Sequence, residues 1–484
     1  MTTPAPDPGW LNHLREAAAM KLTMQAARAS GFQAYFDNTA GIIALLDTRE
    51  RETFRTFLAE SGCNWAELVV NAVAERLKVV GFRFGSEADN AAAWTLWQAS
   101  QMDSDSRLVH SDALVMGSSF ALVQPDDDNP TGVSITAESP YQATVLYEPG
   151  NRRRRVAGYK RFGAEVNYGM NDWTWQTGTL QAGTVTEVLI TPDWIVTWWP
   201  GAPMDEPELA PNPAGVVGMV ELVPQPRTLG PPRAELEPVT TIIDRINTTV
   251  FTRMVSSDYG AFRQVWATGV KIARDVIKGA DGTSTVVVER PFDIGANRLL
   301  ASEDPASRFG SFAESTLTGY LASVEQDVVH LAAISRTPAH YLMGKMINLA
   351  ADAIKAAEVG LVAKCEDRAT HLGEGWEEVM RIALGLTGSA AAANIEAETV
   401  WADFETRSEG QRVDALVKMA ALGVPTPVLW QRWGATPQEV EAWQAMREAE
   451  GLPGVPPPTT AVPGAQPPVP PVPLPAPEEP QPTP

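Results

Sequence analysis

The chain has 484 residues, with 38 Lys and Arg against 59 Asp and Glu, a formal net charge of −21. Its 44% apolar content can build substantial cores, while the lack of a long uninterrupted apolar run excludes a bilayer-spanning helix and the acidic balance argues against a general duplex-gripping protein. Two distant cysteines, Cys63 and Cys365, exclude a disulfide framework and, with an N-terminus unlike a signal peptide, point to synthesis in a reducing compartment.

Residues up to Pro8 read as loose, and 11–125 as mostly helical. Leu11, Leu14, Ala18 and Leu22 keep a helical stripe, as do Trp65, Leu68, Val69 and Ala72. The period changes to strand alternation at 79–84, returns to helix at 91–98 and 104–116, and breaks at Gly117. Phe120 to Val123 reads as the next strand, followed by the turn residues Asp126-Asp127-Asp128-Asn129-Pro130. Five short β-branched or aromatic runs, at 133–136, 143–147, 156–162, 185–190 and 194–199, predict a meander or small open sheet.

A Pro-rich connector, 222–232, leads into a long amphipathic helix with Ile242, Ile246 and Val250 near one face. Residues 264–311 break the helical pattern, with strands around the Asp281-Gly282 turn. A second long helix, 312–334, spaces Leu317, Leu321, Val324, Val328 and Leu331 close to a heptad seam. Pro338 and Gly344 interrupt it, and Asn348 with Asp352 opens a third long helix reaching 386, with an irregularity expected at Gly373-Glu374-Gly375. Three small helices are predicted on 408–449, the last opened by the capping box Thr436-Pro437-Gln438-Glu439. From 452 to 484, 15 of 33 residues are proline and none is aromatic, so a solvated polyproline-like tail is expected rather than a docking peptide.

Catalytic motifs are missing. Gly344-Lys345 is followed by Met346, with Ala339 where a phosphate-cradling loop would have its first glycine. There is no H-E-x-x-H and no G-x-S-x-G. His110-Ser111-Asp112 holds triad residue types, but neighbours in sequence do not converge, and a surface helix is the expected setting. Asp126-Asp127-Asp128 lacks the alternating ligands of a calcium loop. The run Arg152-Arg153-Arg154-Arg155 reads as a solvated hairpin turn in preference to an electrostatic contact with DNA or an acidic neighbour. Trp198-Trp199-Pro200 reads as packing or subunit contact in preference to carbohydrate or base stacking.

Several blocks, in order, resemble the portal proteins of long-tailed double-stranded DNA phages, most closely the actinobacteriophage type. They are Val69 to Leu77 followed by Val79-Val80-Gly81-Phe82, then Asp112 to Phe120, then Arg336 to Gly344 leading to Asn348. The last is Val400-Trp401-Ala402-Asp403 with Arg407-Ser408 and Gly423-Val424-Pro425. The likeness covers about residues 10–450; the proline tail and the first 50 residues depart from it.

This resemblance implies an α+β portal fold without enzymatic activity, cofactor or metal. Residues 1–234 would form most of the wing, 235–262 the first stem helix, 263–311 a small α/β clip and 312–334 the second stem helix. Residues 335–348 would form the tunnel loop, 349–386 a long wing helix, 387–450 a helical crown and 451–484 a disordered tail. Ile242, Ile246, Val250, Leu321, Val324 and Val328 would pack the stem between subunits, and Arg336, His340 and Lys345 would project into the DNA channel from a mobile loop. The implied partners are identical subunits in a twelvefold ring, double-stranded DNA passing without base readout, terminase, head–tail connector, major capsid and scaffolding proteins. No membrane is implied. The implied place is a capsid vertex of the virion, after assembly in the bacterial cytoplasm. Another head–tail connector or minor capsid protein is the alternative, and a packaging enzyme ranks third.

Overall fold

The Asp7 side chain accepts a hydrogen bond from the Gly9 amide and Pro8 occupies the first turn, so helix α1 spans Pro8–Phe36. Its buried face is Leu11, Leu14, Ala18, Leu22 and Ala29, which contains the stripe legible in the sequence. The structure, a computed structural model, describes residues 6–40, 57, 60–163, 185–201, 203, 206–261, 265–269, 274–278, 284–288, 305–311, 316–343, 351–405, 409–435 and 437–449. Helix α2 (Trp65–Ala74) is capped by Asn64 and leads into strand β1 (Val79–Arg83). Ser86 caps α3 (Glu87–Ala99). Helix α4 (Met102–Met116) ends at Gly117, whose φ of 97° suits glycine, and a Cβ there would lie 3.0 Å from the Pro232 carbonyl oxygen.

Eight strands follow: β2 (Ser119–Pro125), β3 (Val133–Glu138), β4 (Ala143–Glu148), β5 (Asn151–Gly163), β6 (Val185–Ile190), β7 (Trp194–Trp198), β8 (Glu208–Pro211) and β9 (Met219–Leu222). They form two antiparallel sheets, a meander β4-β5-β6-β7-β8 and a three-stranded sheet β3-β2-β9. Four of the five expected runs form the meander as β4 to β7, with the unrecognised β8 as its fifth strand; the first run, 133–136, is β3 and pairs instead with β2 in the other sheet, whose β9 was also unrecognised. Strand β2 is buried on both faces. Its period of two sends Phe120 and Leu122 towards Val145, Ile190 and Met219, and Ala121 and Val123 into the main core. The meander's other face, Tyr159, Leu189, Val196 and Trp198, is covered by α1. Leu11 and Leu22, both 3% exposed there, contribute roughly 1.5–3 kcal/mol each.

Helix α5 (Thr240–Ala261) opens a helix–β–helix insertion containing β10 (Val265–Thr268), β11 (Arg274–Lys278), β12 (Ser284–Val288) and β13 (Arg308–Ser311). Pairing is nested: β10 with β13 and β11 with β12, both antiparallel. Among the described residues of 263–311 there is no helix, so the described part of the expected α/β clip is β alone. The insertion closes with α6 (Thr318–Ser335), and the short α7 (Ala339–Met343) precedes α8 (Ala351–Leu386).

Helix α8 runs unbroken through Gly373 and Gly375, against the expected irregularity. The glycines serve close packing instead: a Cβ on Gly375 would stand 3.2 Å from Leu222, and one on Gly373 3.4 Å from the Trp401 indole nitrogen. After α8, strand β14 (Glu398–Trp401) pairs antiparallel with β1, Phe82 opposite Thr399. Residues 387–405 therefore belong with the N-terminal elements, which corrects the expected boundary at 387: the compact units divide between Thr406 and Arg407. The described part of the second unit is α9 (Glu409–Ala421), α10 (Thr426–Trp433) and α11 (Pro437–Ala449), the three small helices predicted.

His110 overturns its expected surface setting. It is fully buried, its Nε2 accepts from Trp376 Nε1 at 2.8 Å, and its Nδ1 lies 3.1 Å from the Leu77 carbonyl oxygen. These partners need a neutral ring with the proton on Nδ1. Burial pushes the imidazole pKa down to about 4, against a small opposing effect of the Leu77 hydrogen bond. Trp376 also meets Trp97 edge-on at 4.9 Å, so part of the tryptophan excess forms the main core.

Candidate functional site

Helices α5 and α6 run antiparallel. Arg245 pairs with Asp327 at 2.7 Å and, further along α5, Ser256 Oγ donates to the Tyr320 hydroxyl at 3.5 Å. Ile242, Ile246, Val250 and Val328 are all buried in the chain's own core, and Val324 packs against its edge. Leu321 is 48% exposed. This corrects the expected seam: most of its residues hold the two helices of one chain together, and of the six only Leu321 presents a largely open side chain. Asp327 Oδ1 is held by Arg245, whereas its buried Oδ2 has no hydrogen-bond partner. Arg245 itself is half-exposed, so solvent screens the pair, and His330 Nδ1 lies 3.8 Å from the same oxygen. A groove of about 520 Å³ lies between the helices, lined by Thr248, Thr249, Thr252, Thr316, Gly319, Tyr320 and Ser323.

The segment after α6 is built, in its described part, rather than loose. Arg336 ends α6 in the left-handed conformation, φ 54°. The next amide, Thr337 N–H, donates to Ala332 O at 3.1 Å and Ser335 Oγ at 3.3 Å. Thr337 and Pro338 are buried, and 339–343 form α7 where an irregular loop is expected. Tyr341 then donates to Glu358 of α8 at 2.7 Å. Arg76 closes the network: its guanidinium donates to Tyr341 Oη at 2.9 Å and to the Phe404 carbonyl at 2.5 Å, and lies 3.4 Å from Glu358. Burial and the Glu358 hydrogen bond hold the Tyr341 phenol above its ordinary pKa.

A second buried group anchors the start of the segment. Lys364 Nζ of α8 donates to the Ser335 carbonyl at 2.7 Å and pairs with Glu235 at 2.5 Å. Arg368 Nε meets the same carboxylate at 3.2 Å, and Gln225 donates to it at 2.8 Å. Burial alone would raise the Glu235 pKa; Lys364 and Arg368 outweigh it and hold the carboxyl below its ordinary range.

Of the expected channel residues, Arg336 is exposed, and His340 is half-buried with its ring edge-on to Tyr341 at 4.7 Å. Lys345 lies outside the described residues. Arg76, Glu358, Lys364 and Glu235 carry no sequence signal of their partnership. Arg76 and Tyr341 stand within blocks that resemble portal proteins, yet no motif links them. Of the arginine run, Arg152, Arg153 and Arg154 are exposed beside the Pro149-Gly150 turn, while Arg155 pairs with Glu378 at 2.5 Å. Among the described residues no group of three or more His, Cys, Asp or Glu is arranged to hold a metal ion, and no helix is long and apolar enough to cross a membrane.

Paired antiparallel helices around a β insertion, followed by an anchored segment and a long helix, make a fold of mixed helix and sheet. The chain belongs to the phage portal protein family, SPP1 Gp6-like, which matches residues 35–451. It is 29% identical over 425 residues to the portal protein of Mycobacterium phage D29, covering 82% of this chain and 81% of the relative. It is likewise 29% identical over 410 residues to the portal protein of Mycobacterium phage L5, covering 80% and 78%. It is also similar to a chain of the virion of a native gene transfer agent particle, with TM-score 0.39 and 13% identity over 81% of this chain and 90% of that one. That likeness is too distant to carry an argument; the family rests on sequence.

Proposed function

We propose that copies of this chain form a twelvefold ring at one capsid vertex, through which double-stranded DNA enters during packaging and leaves on ejection. The observation that supports it most is the portal-family match over residues 35–451, which spans the whole helix–β–helix insertion and the anchored segment. In this reading α5 and α6 are the stem, 263–311 the clip, 335–348 the channel loop, α8 the wing helix behind it, and the helical unit of 409–449 the crown. Residues 1–234, joined by 387–405, make up the rest of the wing. The clip and outer surfaces would dock terminase, head–tail connector, major capsid and scaffolding proteins.

A channel that passes any sequence must read no bases and hold phosphates weakly. A chain with a net charge of −21 meets that demand, with Arg336 and Lys345 as the positive charges offered by the loop. His340 contributes through packing on Tyr341. Leu321, 48% exposed towards the start of α6, is the stem side chain left open for a neighbouring subunit.

Negative-stain images of the purified protein test the ring, and native mass spectrometry counts its subunits. Rings with a central hole and twelve copies are expected. Monodisperse monomers in every condition would count decisively against the assignment.

A further inference from the structure

The C-terminal unit exposes several large apolar side chains. It buries Leu429, Ala435 and Val440, while Val413, Val417, Leu422, Trp433 and Met446 are between 39% and 85% exposed. Three tryptophans form one group. Trp430 and Trp443 meet edge-on at 5.5 Å and 88°, and Trp433 lies 6.0 Å from Trp443 at 47°. Arg447 sits over the Trp430 ring at 5.8 Å. A cluster of tilted indoles is the kind of aromatic surface that takes proline rings from a polyproline-II segment.

The same chain carries a segment of that chemistry. Residues 467–477 read PPVPPVPLPAP. Prolines recur at 467, 470 and 473 and at 468 and 471, every third residue, so each series falls on one edge of a polyproline-II helix. The segment is uncharged, and Glu478-Glu479 follow it, opposite in sign to Arg432 and Arg447 beside the tryptophans. Length permits the return. The residues between the end of α11 and Pro467 span about 50 Å when extended as polyproline II, and the 13 residues of α11 are only about 20 Å long. A tether of that kind gives an effective concentration on the order of millimolar, enough to populate weak recognition.

We propose that the Trp430–Trp433–Trp443 face is a polyproline-II binding site and that its occupant is segment 467–477 of the same chain. Composition alone favours a solvated tail; the aromatic face gives the tail a place to dock. The test uses a fluorescent peptide of residues 465–479 and anisotropy titrations against the full chain and a chain ended after Gly451. Saturable binding to the shortened chain is expected, at least tenfold weaker to the full chain, whose own tail fills the site. Replacing Pro470, Pro471 and Pro473 of the peptide by alanine should lower affinity tenfold or more, as should Trp433→Ala in the shortened chain. If Trp433→Ala does not fold, the alanine peptide decides. No saturable binding to the shortened chain overturns the site. Equal binding to both chains overturns the tail as its occupant. Loss of rings on shortening, without peptide binding, would assign the face to a second copy and overturn the proposal.

Discussion

Leu321 and Val328 stand two turns apart on α6, and an aspartate at each separates folding from assembly. Val328 is 3% exposed and belongs to the core that holds α5 to α6. Val328→Asp forfeits roughly 1.5 kcal/mol of apolar burial. It also places a carboxyl beside Asp327, whose Oδ2 already lacks a partner. Burial that raises a carboxyl pKa by two or three units costs about 3–4 kcal/mol near neutral pH. The sum, on the order of 5 kcal/mol, rivals the whole stability of many domains. Leu321, 48% exposed, leaves an aspartate in water, where a substitution changes stability by less than about 0.5 kcal/mol.

Soluble yield, urea unfolding followed by circular dichroism, and size exclusion read the two variants. Val328→Asp should lose folded protein; Leu321→Asp should keep the wild-type urea midpoint and lose rings. A wild-type midpoint for Val328→Asp would refute the burial argument. Intact rings from Leu321→Asp would refute Leu321 as a subunit contact.

Tyr341→Phe removes the hydroxyl between Arg76 and Glu358, at a cost of about 1–3 kcal/mol. Hydrogen exchange at 339–343 should quicken while ring assembly persists, and unchanged exchange would show that the anchor holds little. Lys345→Glu should leave rings intact but impair packaging or retention of DNA, so phage with wild-type packaged length, yield and retention would sink its proposed role. Burial depresses His110 to about 4 from 6.5, so its contribution is lost as pH falls through that window; burial raises Asp112 to about 6 from 3.8, so its contribution is lost as pH rises through the overlapping window, and the two oppose each other. Asp112→Asn should therefore uncover an acid loss of about 3 kcal/mol between pH 6.5 and 4, and urea midpoints with the same pH profile in both proteins would contradict it.

Much of the element order was legible because it depends on local pattern. The α1 stripe, the strands β3 to β7 and the three C-terminal helices follow from apolar period and capping residues that act within a few positions, although which sheet β3 joins does not. What escaped depends on distant partners. The four residues of β9 have no pattern of their own until β2 lies beside them, and β14 forms only on β1. Gly373 and Gly375 resemble a helix break until Leu222 and Trp401 are seen packed on them. His110 belongs to a surface helix by sequence and to the core by its Trp376 partner. The stem heptad was read as an interface between subunits because period reveals that a face is covered, never which chain covers it.

That distinction bears on the channel segment too. A proline and a glycine within a dozen residues suggest loose chain, yet residues 335–343 are held at both ends by buried charges of α8. Lys364 grips the Ser335 carbonyl and Glu358 accepts from Tyr341. Hydrogen bonds to charged groups contribute roughly 1.5–3 kcal/mol each, so moving this stretch off α8 would cost several kcal/mol per subunit. The same Lys364 is bound to Glu235, whose amide donates to the Leu114 carbonyl at the end of α4. A contiguous set of buried polar contacts thus runs from the segment proposed to face DNA, through α8, to the start of the stem connector. If subunits in a ring must move that segment together to let DNA pass, the resistance they meet is set inside each chain by these contacts.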